Sequence, residues 1–277
     1  MDNIPQLLNA DWLIAYKEIK RSSIDLILTD PPFGILEKEG WDRGVALDEL
    51  EVTFERVLKE TGLVIMFCNL ELLNRSLEQF SRFTLRSYHI WHKSSAMPIS
   101  ELMPLPDAEF IIVLKRKGVR TSDSVWCPRD MLSAGKPYEK RSNILESPTR
   151  RHIKKEISKN SDGKRWVSTI IEAPNKPCMH KKERSSHPSQ KPEQLLRLLI
   201  RGYSNRGDLV LDPFAGSGST LISSYREGRS SIGYELNETF FNEAQDRINR
   251  ATSQQTLYLE QNKPDIIQET LDTEVSV

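Results

Sequence analysis

Asp212-Pro213-Phe214-Ala215-Gly216-Ser217-Gly218-Ser219-Thr220 is the stretch that decides the fold. It follows a short apolar run, Leu209-Val210-Leu211, and leads into a helical stretch over about Thr220 to Glu227. A strand, a glycine-rich turn and a helix in that order form the ligand-binding corner of an open α/β sheet, where ligands sit beyond the carboxyl ends of the strands. Gly216 and Gly218 allow positive φ and let the backbone approach a ligand closely. The next apolar run, Ser231-Ile232-Gly233-Tyr234, ends at Glu235, 23 residues after Asp212. An acid at about this distance can accept hydrogen bonds from both hydroxyls of a ribose. The third glycine of a dinucleotide fingerprint is missing, and no Lys-Ser/Thr pair follows as in a phosphate-cradling Walker loop. Asp212 would repel a pyrophosphate but suits an ammonium. The loop therefore points to a cofactor with an amino-acid end.

Upstream, Ile24-Asp25-Leu26-Ile27-Leu28 reads as a buried strand, stopped at Asp30-Pro31-Pro32-Phe33 by two residues that cannot donate to a sheet ladder. This loop suits chemistry on an exocyclic aromatic amine, a poor nucleophile because its lone pair is delocalised into the ring. The Asp30 carboxylate and the Pro31 carbonyl can each accept one amine hydrogen and favour a pyramidal nitrogen. The prolines hold that geometry rigid, and Phe33 can stack on the base. Pro-Pro after a strand is by itself an ordinary turn; its weight comes from the glycine loop expected at the same sheet edge.

Around these loops, apolar runs alternate with helical periodicity. Expected helices lie near Trp12 to Lys20, Leu47 to Lys59, Leu72 to Phe80, Pro192 to Tyr203 and Asn237 to Asn249. Further strands lie near Leu63 to Cys68, Tyr88 to Trp91 and Phe110 to Leu114, with Gly62 as the break before the first of them. The pattern predicts a mostly parallel sheet with helices on both faces. From Lys117 to Ser186 it dissolves into prolines, Ser/Asn clusters and basic residues. The tail from Gln255 holds five acids and one lysine and reads as frayed.

Net charge is zero, but its distribution is uneven. From Lys115 to Lys191 there are 20 Lys/Arg and 8 Asp/Glu, a balance of +12, against 19 and 31 in the remainder. Such a stretch is either a solvated loop or a surface for a polyanion whose phosphates it neutralises. Charged residues make up 28% and hydrophobic ones 38% of the 277 residues, an ordinary globular balance. No apolar run reaches membrane-spanning length, and the first residues carry no secretory pattern. Cys68, Cys127 and Cys178 are odd in number and widely spaced, which suggests a reducing compartment and neither a disulfide framework nor a zinc site.

Asp30-Pro31-Pro32-Phe33, then a basic insertion, then the glycine loop is the order of parts in the β-class DNA amino-methyltransferases, which this chain resembles. His187-Pro188-Ser189-Gln190-Lys191-Pro192 is similar to that family's His-Pro-Thr-Gln-Lys-Pro signature. The resemblance covers residues 9–249. It implies an α/β fold: a Rossmann-like S-adenosylmethionine-dependent methyltransferase sheet, circularly permuted, with an inserted target-recognition region. The implied divisions are 1–117 (catalytic half), 118–186 (target recognition), 187–252 (cofactor half) and 253–277 (acidic tail).

By the same resemblance, the cofactor is S-adenosylmethionine. Asp212, Phe214, Ala215, Gly216, Ser217 and Gly218 would surround its amino-acid end and Glu235 its ribose, with Asp30 and Lys191 also in the cofactor site. Asp11 matches a family acid beside the cofactor's adenine, although this chain has Ala10-Asp11 where the family has Gly-Asp. Asp30, Pro31, Pro32 and Phe33 would be catalytic. Arg141, Arg150, Arg151, Lys154, Lys155, Lys164 and Arg165 are the candidate contacts to double-stranded DNA. A homodimer and a cognate restriction endonuclease are compatible partners, no metal is called for, and a cytoplasmic prokaryotic or phage-encoded setting is expected. Relatives that methylate cytosine N4 more often carry serine in place of Asp30, so adenine N6 is the expected target. Cytosine N4, or a non-catalytic nucleic-acid-binding subunit, remain the alternatives. His187 is expected to be structural rather than a general base, and His89 and His92 packing or surface residues rather than ligands.

Overall fold

The structure, a computed structural model, describes residues 3–32, 46–96, 101, 104–127 and 168–261. Phe33 and all seven candidate DNA-contacting residues, Arg141, Arg150, Arg151, Lys154, Lys155, Lys164 and Arg165, lie outside the described residues.

The described strands form one sheet. In chain order they are β1 (Gln6–Asn9), β2 (Ile24–Thr29), β3 (Leu58–Cys68), β4 (Phe83–Lys93), β5 (Ala108–Arg116), β6 (Ile170–Ala173), β7 (Leu209–Asp212) and β8 (Ser230–Glu235). In space they run β1-β8-β7-β2-β3-β5-β4-β6. All pairings are parallel except the two made by β5, which therefore runs against the others. The central strands are buried on both faces, which is why Ile24 to Thr29 and Leu63 to Cys68 read as nearly unbroken apolar runs.

Helices cover both faces. The side chains of Ile27, Val64, Met66 and Ile112 meet α1 (Trp12–Ala15), α2 (Leu47–Val57) and α3 (Leu70–Gln79). Leu26, Leu28, Ile65, Ile111 and Val210 meet α4 (Glu193–Tyr203) through its Leu195, Leu196, Leu199 and Ile200. On that second face, α5 (Ser219–Arg226) and α6 (Glu238–Gln261) pack together through Leu221, Ile222 and Ile248, with Leu7 of β1 against them. The i, i+1, i+4, i+5 spacing of the α4 residues is the apolar stripe that a helix needs to lie on a sheet.

Four features differ from the sequence expectation. The helix expected over Trp12 to Lys20 is a single α turn to Ala15 followed by a 3₁₀ turn over Tyr16–Glu18. Gly62 lies inside β3 and does not break the chain before it. A β-carbon there would stand 2.8 Å from Leu58 and 3.0 Å from the Asp25 carbonyl, so glycine is what lets β3 pass β2 where their register shifts. Ile170–Ala173, within the stretch without clear period, adds an edge strand on β4; four residues are too few for periodicity to reveal. The backbone of α6 continues to Gln261, past the point where fraying was expected.

β7 leads to α5 on one face, and β2 and β3 are covered on the other by α2 and α3. Neighbouring strands whose connections part to opposite faces leave a crevice at their carboxyl ends, the place where open α/β sheets bind ligands. Asp30 follows β2 and Asp212 ends β7, so both fall at this crevice.

Candidate active site

The glycine loop is held mainly through its backbone. Gly216 has φ +49° and Gly218 φ +73°, both in the left-handed region that glycine adopts at little cost. A β-carbon on Gly216 would lie 3.0 Å from Nε2 of His187. The His187 ring in turn stands edge-on to Phe240, 4.5 Å between centroids. His187 thus backs the glycine loop, and burial with Lys191 and Lys176 nearby lowers its pKa to about 4, leaving a neutral ring. Behind the loop, Arg247 of α6 donates to the Ser217 carbonyl, to Ser219 Oγ at 3.2 Å and to the Glu183 carbonyl at 3.0 Å. Gln190 accepts from the Ser185 amide at 2.7 Å and donates to the Glu183 carbonyl at 2.8 Å. Gln190 Nε2 also reaches Ser219 Oγ at 3.4 Å, so Gln190 and His187 tie the segment before α4 to the end of the loop after β7.

Glu235, at the end of β8, accepts from the backbone amides of Gly216 and Asn237, each at 2.8 Å. Each carboxylate oxygen keeps a further acceptor position. Burial raises its pKa. Asp212 is 3% exposed and accepts from the Phe214 amide at 3.2 Å. Burial pushes its pKa up to about 6 against the opposing hydrogen bonds from Thr220 and Phe214. Phe214 is half-buried and Ala215 buried; the Ala215 amide donates to the Tyr234 carbonyl at 2.8 Å, which fixes the loop to β8. Asp11 caps α1, its Oδ1 accepting from the Leu13 amide at 2.8 Å. The ends of β1 and β8 are joined where Asn9 donates to the Glu235 carbonyl at 2.8 Å.

Asp30 is held differently. Lys191 donates to its Oδ2 at 2.6 Å. The same Nζ stands 3.0 Å from Oε1 of Glu109 and 5.0 Å from the centroid of the Phe67 ring. Asp30 Oδ1 is buried with no hydrogen-bond partner among the described residues. Burial raises the Asp30 pKa to about 7, with Lys191 opposing and Glu109 and Asp212 adding to it. Lys191 stays cationic because its two carboxylate neighbours outweigh the cost of burial. Pro31 is buried and Pro32 half-buried.

The structure thus brings Asp11, Asp30, Pro31, Pro32, Asp212, the loop from Phe214 to Gly218 and Glu235 to one edge of the sheet. Lys191, expected in the cofactor site, is bonded to Asp30 and not to the glycine loop. Glu109, Lys93 and Arg247 were missed by the sequence reading. For Glu109 the signal was an acid at the head of an apolar run, Phe110 to Leu114, but it became informative only once β5 was seen to be reversed. His89 is buried with Nε2 2.7 Å from the Tyr203 hydroxyl, and His92 is exposed beside Asp107.

The donor set fits the amino-acid end and ribose of a nucleoside cofactor: a buried carboxylate at Asp212, bare backbone at Gly216, and an acid with free lone pairs at Glu235. It offers no Lys or Arg in the glycine loop for a pyrophosphate. No helix among the described residues is long and apolar enough to cross a membrane.

Known proteins share this architecture. The DNA adenine methyltransferase YhdJ of Escherichia coli K12 is 28% identical over 260 residues, 89% of this chain and 83% of its own. The crystal structure of M1.HpyAVI with S-adenosylmethionine matches 88% of this chain and 99% of its own with a TM-score of 0.60 at 22% identity. The PvuII DNA methyltransferase, cytosine-N4-specific, matches 92% of this chain and 93% of its own with a TM-score of 0.63 at 16% identity. At these identities the two structures establish the fold. The profile of the N6/N4 family described as DNA methylase matches residues 24–246, from β2 into the first turns of α6, and this chain belongs to that family.

Proposed function

We propose that this protein transfers the methyl group of S-adenosylmethionine to the exocyclic amine of a base in double-stranded DNA, and that the base is adenine, at N6. The observation that carries the reading is Asp30 Oδ1: a buried carboxylate oxygen with no described partner, at the end of β2 and one strand from the glycine loop. A buried acceptor without a partner costs about 1–3 kcal/mol, more when charged, and such groups persist where a ligand completes them.

Bound S-adenosylmethionine supplies an electrophilic methyl, so the protein need not activate it. Asp212 and the backbone from Phe214 to Gly218 hold the amino-acid end. Glu235 receives the ribose hydroxyls on the lone pairs its backbone bonds leave free, and Asp11 lies towards the adenine. The target base is flipped from the duplex, since its amine is not reachable within the stack. Asp30 Oδ1 and the Pro31 carbonyl accept the two amine hydrogens and keep the nitrogen lone pair directed away from the ring, while Phe33 stacks on the base. As the nitrogen–carbon bond forms, the methyl–sulfur bond breaks with its electron pair going to sulfur, S-adenosylhomocysteine is the leaving group, and the amine must release one proton. Asp30, with a pKa near neutrality, can take it at Oδ1. Positioning and exclusion of water account for the remainder.

DNA is held by the basic region 118–186, through Arg141, Arg150, Arg151, Lys154, Lys155, Lys164 and Arg165. The strand order, with β7 and β8 lying between β1 and β2, supports a circularly permuted form of the methyltransferase sheet. Adenine rests on Asp30 and on the activity named for YhdJ. Cytosine N4 is the second reading, favoured by the fold shared with the PvuII enzyme.

The test is incubation with methyl-labelled S-adenosylmethionine and unmethylated duplex DNA, followed by digestion and mass identification of the labelled nucleoside. N6-methyladenine is expected. N4-methylcytosine would overturn the base, and cofactor binding with no label in DNA would overturn the substrate.

A further inference from the structure

Glu109 belongs to neither loop. It is the second residue of β5, and because β5 runs against its neighbours, its beginning and not its end reaches the edge where Asp30 and Asp212 lie. Its side chain is 12% exposed and stands between two ammonium groups. Lys93 Nζ, from the end of β4, is 3.1 Å from Oε2, and Lys191 Nζ is 3.0 Å from Oε1. Lys191 then donates to Asp30 Oδ2 at 2.6 Å. The result is a row of alternating charge, Lys93–Glu109–Lys191–Asp30, drawn from β4, β5, the approach to α4 and the end of β2.

Acids are almost never buried unless paired, and one lysine would suffice to pair Glu109. The second links it to the Asp-Pro-Pro loop. Lys191 carries its charge on a flexible four-carbon stem and could rest on either oxygen of Asp30. Here it lies against Oδ2, with Glu109 Oε1 at ion-pair distance on its other side and the face of Phe67 beneath it. Oδ1 is then left unbonded.

We propose that Glu109 is a positioning residue for the methyl transfer: anchored by Lys93, it fixes the Lys191 ammonium on one oxygen of Asp30 and so keeps the other oxygen aimed at the target amine. The inference rests on the reading of Asp30 as acceptor of an amine hydrogen. The groups facing Asp30 are Lys191 before α4, Glu109 on β5, Asp212 at the end of β7 and the Cys68 thiol closing β3. Burial pushes that thiol far up, so it stays neutral. Burial would raise Glu109 as well, but Lys191 and Lys93 outweigh it and hold it below the usual carboxylate range.

The experiment uses Glu109→Gln and Lys93→Met in the full chain. The Asp30 carboxyl is titrated by carbon NMR without DNA or cofactor, and methylation kinetics are then followed against pH. Glu109→Gln removes a negative neighbour and leaves Lys191 to Asp30 alone, so the Asp30 midpoint should fall. Lys93→Met, at the more exposed end of the row, should draw Lys191 towards Glu109 and raise it. With DNA, kcat of Glu109→Gln should drop by about tenfold to a hundredfold, KM for S-adenosylmethionine should hold, and Glu109→Asp should recover part of the loss. Unmoved Asp30 midpoints in both variants, or an unchanged kcat in Glu109→Gln, would overturn the proposal and leave Glu109 a structural ion pair. The titration needs no substrate. Midpoints that move as stated in a protein that labels no DNA would refute the DNA reading while upholding the control of Asp30 by Glu109.

Discussion

The loops after β7 and β2 leave adjacent strands at the same edge, yet they are fixed in opposite ways. The glycine loop is held by bonds to its backbone: Arg247 on the Ser217 carbonyl, Glu235 on the Gly216 amide, and Tyr234 accepting from Ala215. The Asp30 side chain is held by an ion pair with one lysine, itself shared with a second carboxylate. A backbone-anchored loop has a shape that depends little on which side chains it carries itself. A carboxylate held in a row of charges has an orientation and a protonation state that depend on every member. The lesson is a division of labour: a fixed cradle beside a tunable acceptor.

The comparison can be broken most forcefully at Asp30. Asp30→Ala should lower kcat for methyl transfer by about 10²- to 10³-fold. Cofactor binding, followed by calorimetry, should fall far less than turnover, because the bonds that hold the cradle do not include this side chain. Equal loss of binding and turnover would show that the two loops are one unit.

Next in size is Lys191→Met, with an expected loss of about tenfold to a hundredfold in kcat. Its pH profile is the sharper reading. Asp30 must be ionised to accept the amine hydrogen, so the wild-type acid limb should lie near pH 7. Removing a positive neighbour raises a carboxylate pKa, so the limb should move to higher pH. An unmoved limb would dissociate Lys191 from the titration of Asp30.

Gly216→Ala attacks the cradle. The left-handed φ costs about 1–2 kcal/mol for a non-glycine residue, and the new methyl would meet His187 at 3.0 Å. Expressed in cofactor affinity, this is about tenfold, with kcat at saturation retained. Adding His187→Ala should recover the steric part and leave the φ part. No recovery in the double variant would show that His187 does not crowd position 216.

The last effect is on stability and leaves turnover near neutral pH untouched. His187 has a folded pKa of about 4 against an ordinary 6.5, so the fold favours the neutral ring. Its contribution is full above pH 6.5 and is lost progressively as pH falls from 6.5 towards 4, because the unfolded chain then binds the proton more readily. Denaturant melts of wild type and His187→Phe over this range should converge as the pH drops. Parallel curves would show that the ring does not titrate as its burial implies.

Much of this architecture was legible beforehand. The glycine loop and Asp30-Pro31-Pro32 were visible because their neighbours are strands buried on both faces, whose apolar runs end abruptly at residues with special backbone needs. Glu235 was visible through its distance from Asp212. Lys191 was seen as part of a motif without a partner: nothing in the order of residues says that it reaches across to the Asp30 carboxylate after β2. Glu109 was not seen at all, because its place depends on the direction of β5, and strand direction is a property of pairing rather than of local sequence. Gly62 was misread for a related reason, since a close approach between two strands looks, in one strand alone, like a break.

The order β1-β8-β7-β2 also sets a timetable for synthesis. β2 leaves the ribosome early, but the strand on one side of it is β7; Leu209 donates to Asp25 at 3.0 Å across 184 residues of chain. At about 5–20 residues per second, that side of an apolar strand waits on the order of 10–40 s for its partner. Until then the nascent N-terminal half carries an open strand edge, the kind that pairs with other chains. A protein assembled in this order should depend on chaperones, or on slow translation of its first half, more than one whose central strands emerge in succession.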